Sequence, residues 1–109
     1  MPPFGLAKTS GKFIWTAHAE GKARYYGLSK ARVARVFRSP ARTEAGVAPK
    51  TTAMMQPTSP KHTSEIWLMY QQDKKSGQVT IISAWRYPGQ SPVGKKIPIP
   101  EEIKDELGM

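Results

Sequence analysis

At 109 residues the chain is long enough for one compact domain and too short for two. It has no cysteine, which excludes disulfides, thiolate metal sites and cysteine nucleophiles, and no apolar run near the ~20 residues of a membrane span. The 17 Lys and Arg against 8 Asp and Glu give a net charge of +9 and a pI near 10.1, a balance that favours a polyanionic partner, nucleic acid foremost.

The N-terminus carries no secretory apolar segment, so a cytoplasmic location without membrane contact is expected. Residues 1–11 hold two prolines, two glycines and no periodicity, and read as a flexible arm. Residues 12–16 (KFIWT) suit a short strand. From Ala17 the spacing becomes helical, with His18, Lys22 and Tyr25 on one side and Ala19, Ala23 and Tyr26 on another. Gly27 stands where a helix closes. A second helix begins at once: Ser29 is the N-cap, and Leu28 can staple against Val33. Val33, Val36 and Phe37 form its apolar stripe, Arg32, Arg35 and Arg38 lie outward, and Pro40 ends it near Ser39.

Residues 41–46 (ARTEAG) and 51–56 (TTAMMQ) read as extended, and residues 57–63 as a loop. Residues 65–72 and 78–87 are two strands rich in β-branched and aromatic side chains, joined by the polar turn DKKSG. Strict alternation places Ile66, Leu68 and Tyr70 opposite Trp67, Met69 and Gln71 on the first strand. On the second it places Val79, Ile81, Ser83 and Trp85 opposite Thr80, Ile82, Ala84 and Arg86. Pro88, Pro92, Pro98 and Pro100, with Gly89 and Gly94, prevent further sheet pairing. Residues 100–107 close the chain as a short helix, with Ile103 and Leu107 four apart as a docking edge. The expected fold is therefore α+β: a two-helix hairpin on a small twisted antiparallel sheet, spanning residues 12–87, followed by a Pro/Gly-rich tail with a terminal helix over residues 88–109.

Several groups carry potential chemistry. His18 titrates near neutrality and suits a general acid or base. Arg42 and Glu44 project together from an extended segment, as a guanidinium clamp beside a carboxylate base would, though a surface ion pair accounts for the same spacing. Lys22, Arg24, Arg32, Arg35 and Arg38 supply cations for phosphate. Trp85, Arg86 and Tyr87 at a strand end combine an aromatic surface for base stacking with a phosphate contact. His18 and His62 are far apart without a carboxylate cluster, so no metal or other cofactor is expected. Neither a phosphate-binding Gly-rich loop nor a G-x-S-x-G elbow is present, which sets nucleotide and serine hydrolases aside.

The run WTAHAEGKARYYGLSKARVARVFRSPARTEAG, followed by a hairpin ending in TIISAWR, resembles the BrnT-like branch of the RelE/ParE-type toxin superfamily. The likeness rests on His18-Ala19, the Tyr26 to Ser29 corner, Val33 to Phe37, Ser39 to Arg42, and Ile81 to Ala84, and covers roughly residues 13–87. It implies a metal-independent ribonuclease, in which acid/base and basic groups on the sheet help a ribose 2′-hydroxyl attack the adjacent phosphate. It also implies RNA, in some members on the ribosome, as substrate and an antitoxin protein as partner. Relatives commonly carry arginine directly after the position of Ala84; this chain has Trp85 there and Arg86 next. On this basis His18 or Glu44 is the expected acid/base, and Arg42 and Arg86 the expected phosphate contacts. A non-catalytic nucleic-acid-binding module, and a protein-interaction domain that takes a partner by strand addition, remain open beside it.

Overall fold

In the computed structural model, which describes residues 13–108, eight elements follow one another. They are β1 Phe13–Trp15, α1 Ala17–Tyr25, α2 Lys30–Arg38, β2 Arg42–Ala45, β3 Thr52–Pro57, β4 Ser64–Gln72, β5 Val79–Pro88 and α3 Glu101–Glu106. The expected arm over residues 1–11 lies outside the described residues. The helix ends are set locally. Thr16 and Ser29 each turn a side-chain oxygen onto the backbone N–H three residues on, at 3.0 Å. Gly27 takes a φ of +70°, and the N–H groups of Gly27 and Leu28 bond back to the carbonyls of Arg24 and Ala23. That pair of bonds ends α1 by the route open to a residue without a Cβ.

The five strands form one sheet in the order β1-β5-β4-β3-β2. From β5 to β2 every pairing is antiparallel, but β1 runs parallel to β5, with Phe13 opposite Val79 and Trp15 opposite Ile81. The sheet is therefore mixed, which corrects the wholly antiparallel expectation. The reason is that β1 and β5 are joined not by a turn but through the rest of the fold, and α1 leaves β1 to lie along β5 while α2 crosses β4 and β3.

A second correction concerns β5. Trp67 pairs with Trp85, Leu68 with Ala84 and Met69 with Ser83, but Tyr70 then pairs with Ile81, leaving Ile82 without a partner in the register. This bulge inserts one residue and exchanges the two faces beyond it. Strict alternation would group Val79 and Ile81 with Ser83 and Trp85. Instead Val79, Ile81 and Ala84 share the helix-side core with Ile66, Leu68 and Tyr70, packed against Ala19, Ala23, Leu28, Val33, Val36 and Phe37.

The opposite face is covered as well. Ala53, Met55, Trp67, Met69 and Trp85 are buried there under Ile97 and Ile103 of the C-terminal stretch, with the Trp67 and Trp85 rings stacked 6.1 Å apart. One carboxylate fastens this cover. Glu65 has no exposed surface and accepts four hydrogen bonds: from His62 Nε2 at 2.7 Å, Trp67 Nε1 at 2.9 Å, Ser91 N at 3.0 Å and Ser91 Oγ at 2.6 Å. Burial alone would raise the Glu65 pKa; the donors, Ser91 Oγ first among them, more than offset it and hold the carboxyl below its ordinary range. The Pro/Gly-rich stretch is thus docked on the sheet face opposite the helices. Among the described residues, no helix is long and apolar enough to cross a membrane.

Candidate functional site

One face of α1 gathers side chains that bear chemistry. His18, on the first turn, places Nε2 3.0 Å from Ser83 Oγ on β5 and Nδ1 3.1 Å from Glu106 Oε1 on α3. A carboxylate can only accept, so a neutral His18 carries its proton on Nδ1, and Nε2 accepts the Ser83 hydroxyl. One turn on, Lys22 Nζ stands 3.1 Å from Glu106 Oε2. At the helix end Tyr26 donates its hydroxyl to Glu102 Oε2 at 2.8 Å. The sequence pattern expected Tyr25 beside His18 and Lys22. Tyr25 does lie beside Lys22, its ring 5.3 Å from Nζ, but it is 72% exposed, and it is Tyr26 that reaches α3.

The imidazole is 18% exposed, and burial is the main influence lowering its pKa; Glu106 pulls it back up, and Lys22 pushes it further down. The neutral form is therefore favoured, which suits a general base. The order hydroxyl, imidazole, carboxylate is one that activates a serine in other folds. Ser83, however, sits in mid-strand with no exposed surface, so its hydroxyl has no path to a substrate in this conformation. Arg86 joins the same neighbourhood: its Nε and one terminal nitrogen face the Tyr26 carbonyl at 3.4 and 3.3 Å, at the C-terminal end of α1 where a cation is favoured.

Arg42 and Glu44 do come together, but not with His18. Their strand, β2, lies three strand spacings, about 14 Å, from β5. Arg42 is only 8% exposed, and all three guanidinium nitrogens are engaged. Nε donates to Glu44 at 2.7 Å, one terminal nitrogen to Ser91 Oγ at 2.9 Å and the other to the Lys95 carbonyl at 3.3 Å, while the group lies 5.2 Å over the Trp67 ring. The side chain ties the C-terminal stretch to the sheet instead of facing solvent. Trp85 is likewise removed from a stacking role, being 0% exposed beneath that stretch, with its indole N–H unpartnered among the described residues. Tyr87, two residues further, is half-buried against the same cluster.

The remaining predicted cations form the open part of the site. Arg32 is partly buried and donates to Gln56 Oε1 at 2.6 Å. By register Gln56 lies opposite Ile66 and Ile66 opposite Arg86, so Arg32 and Arg86 flank one row across the sheet. Burial lowers the Arg32 pKa first; the neighbouring positive charges of Arg35 and Arg86 lower it further. Arg24, Arg35 and Arg38 are exposed. Among the described residues, no ion pair engages Arg32, Arg35, Arg38 or Arg86.

Sequence reasoning found His18, Lys22 and the arginines and missed Ser83, Tyr26, Glu102 and Glu106. The acidic run of α3 was legible as a helix, but its partners on α1 lie 76 residues or more away, and no spacing signals that contact. Compared with protein-family models the chain matches none, and no curated protein or solved structure shows significant similarity to it.

Proposed function

We propose that this chain is an RNA-binding domain that grips phosphates with the guanidinium row Arg86, Arg32 and Arg35, continued by Arg38 and Arg24. The observation that carries this reading is the placing of Arg32, through Gln56, on one sheet row with Arg86 and one helical turn from Arg35, with no acid paired to any of the three among the described residues. Like charges held together repel, and a polyanion relieves that repulsion while releasing its own counterions. The exposed Tyr25 ring beside Arg24 adds a surface on which an unpaired base can stack. Titrating a labelled single-stranded RNA tests the reading. Arg35→Ala with Arg38→Ala weakens binding and lowers the salt slope by roughly 0.7 for each phosphate no longer neutralised, with no change in the urea midpoint. Unchanged affinity in that variant overturns it.

A second reading is favoured by a separate observation, the placement of His18 and Lys22 on one face of α1 with Arg86 of β5 at the C-terminal end of that helix. On that reading the domain cleaves RNA without a metal, as the RelE/BrnT resemblance implies, and an antitoxin protein covers the site. With the neutral ring's proton moved to Nε2, on Ser83 Oγ, His18 Nδ1 takes the proton of a ribose 2′-hydroxyl, the 2′-oxygen attacks phosphorus, and the 5′-oxygen leaves with a proton from water, giving a 2′,3′-cyclic phosphate. Lys22 and Arg86 balance the charge gathering on the phosphoryl oxygens. Incubation in EDTA with an RNA and its 2′-deoxy counterpart decides the matter. Cleavage of the RNA alone, lost with His18→Ala, supports the reading; an intact RNA on free and ribosome-bound substrate alike rejects it.

A further inference from the structure

The groups on the inner face of α1 are all met by carboxylates of one short helix. Glu106 bridges His18 Nδ1 and Lys22 Nζ, both at 3.1 Å, and Glu102 accepts from Tyr26 Oη at 2.8 Å. Glu102 and Glu106 are four residues apart and so rise from one side of α3, their stems about 5–6 Å apart. The other acids of the helix are differently placed: Glu101 pairs with Lys104 on its own helix, and Asp105 makes no ion pair among the described residues. A cation, an imidazole N–H and a phenol spaced along a helix make a row of donors that accepts negatively charged oxygens. Two carboxylates in succession are the kind of anion such a row takes, and successive phosphates of a nucleic-acid strand are another.

The hold of α3 is slight. It has six residues, no side-chain N-cap bond and a single buried residue, Ile103. A helix so short has little stability of its own. It hangs on a connection that contains Pro92, Gly94, Pro98 and Pro100 and runs without helix or strand. What closes the row is therefore Ile103, helped by the partly buried Leu107 at the helix end, and three polar contacts, and the polar contacts are those a phosphodiester reproduces. We propose that His18, Lys22 and Tyr26 form a second phosphodiester site for RNA, and that α3 shuts it in the free protein by presenting Glu102 and Glu106 in place of phosphates. The inference deepens the RNA-binding reading and adds to it a ligand that must displace part of the chain. It also gives His18 a condition for use: the ring meets substrate only when Glu106 leaves.

The test compares two charge-matched double variants of the full chain by fluorescence anisotropy with a labelled single-stranded RNA. Glu102→Gln with Glu106→Gln tightens binding about tenfold, the scale of one or two charge-assisted hydrogen bonds. It also steepens the salt dependence by roughly 0.7 for each further phosphate neutralised. Glu101→Gln with Asp105→Asn makes the same change in net charge on the same helix and leaves affinity as in the parent. Adding Lys22→Ala to the first variant abolishes its gain. Equal tightening in both double variants, no tightening in either, or a gain that survives without Lys22 overturns the inference, and the Arg35→Ala/Arg38→Ala result then judges the outer surface by itself. If the parent fails to bind and the Glu102→Gln/Glu106→Gln variant binds through Lys22, the closed site stands and the guanidinium row falls. If no variant binds RNA, both fall.

Discussion

The face of the sheet under α1 and α2 and the face under the C-terminal stretch bury aromatic and aliphatic side chains alike, but they are closed in different ways. On the helix side the core contacts are apolar, with polar ones such as Arg32 to Gln56 at the edge: Val33, Val36 and Phe37 come from one helical stripe, and Phe37 meets Phe13 and Tyr70 edge-on at 5.3 and 5.2 Å. On the other side only a few apolar residues descend from an irregular stretch, and polar contacts through Glu65 and Arg42 fasten it. A regular helix delivers a whole stripe by periodicity. An irregular chain rich in proline cannot, and its backbone and side-chain donors must find acceptors one by one. The second face is therefore the one whose cover responds to charge, and the proposed closed site lies at its margin.

The comparison breaks most severely at Glu65. Glu65→Ala strands donors from His62, Trp67 and Ser91, and the expected loss is about 3–5 kcal/mol by urea denaturation. A loss below about 1 kcal/mol, the net worth of an ordinary hydrogen bond, shows that this network does not close the face. The same residue fixes an acid limb. Its folded pKa lies below 4.5, so its contribution is complete above that value and is lost as the pH falls through the lower folded one. Glu65→Gln flattens that limb.

Arg42→Ala comes next, at about 2–3 kcal/mol, because three charge-assisted bonds and the packing on Trp67 go together. Arg42→Lys recovers little, since an ammonium cannot fork toward three acceptors. RNA affinity stays at the parent value in both. An Arg42 variant that loses RNA binding at unchanged stability returns this residue to the site and removes the structural reading.

On the helix side a smaller change is expected. Ser29→Ala removes the cap bond to Arg32 N and costs about 1 kcal/mol, with no dependence on acidity, because the face it supports is apolar. The smallest effect concerns His18. Its folded pKa is lowered from 6.5, so its contribution is complete above 6.5 and declines as the pH falls from there through the folded value. A urea midpoint that declines below pH 6.5 in the parent, and does not in His18→Gln, locates the step at this ring. A step that survives the substitution belongs to another group.

The local structure was legible because its signals act over a few residues. Thr16 and Ser29 are capping residues at the right place, Gly27 accepts a positive φ, Pro40 follows the end of α2, and Asp73 closes its turn onto Ser76 at 2.7 Å. The candidate site was legible only in part. His18 and Lys22 share a helix face by spacing, and Arg32, Arg35 and Arg38 follow one another by threes. The pairing of Arg42 with Glu44 was also visible, being two residues apart on a strand. Their use was not, because Ser91 and the Lys95 carbonyl reach Arg42 from about half the chain away.

By itself the sequence determined where helices and strands begin and end, the strongly basic net charge, and the apolar stripes that must be covered. Those follow from backbone preference, capping and period, which are properties of neighbours. The tertiary structure alone decided which face each half of β5 presents, since the bulge at Ile82 arises from pairing with β4. It decided that β1 adds to the sheet in parallel, that Trp85 is sealed from solvent, and that α3 lays Glu102 and Glu106 on His18, Lys22 and Tyr26. Each of these is a contact between segments far apart in the chain, won by burial and charge pairing once the sheet exists, and nothing in the spacing of the residues records it.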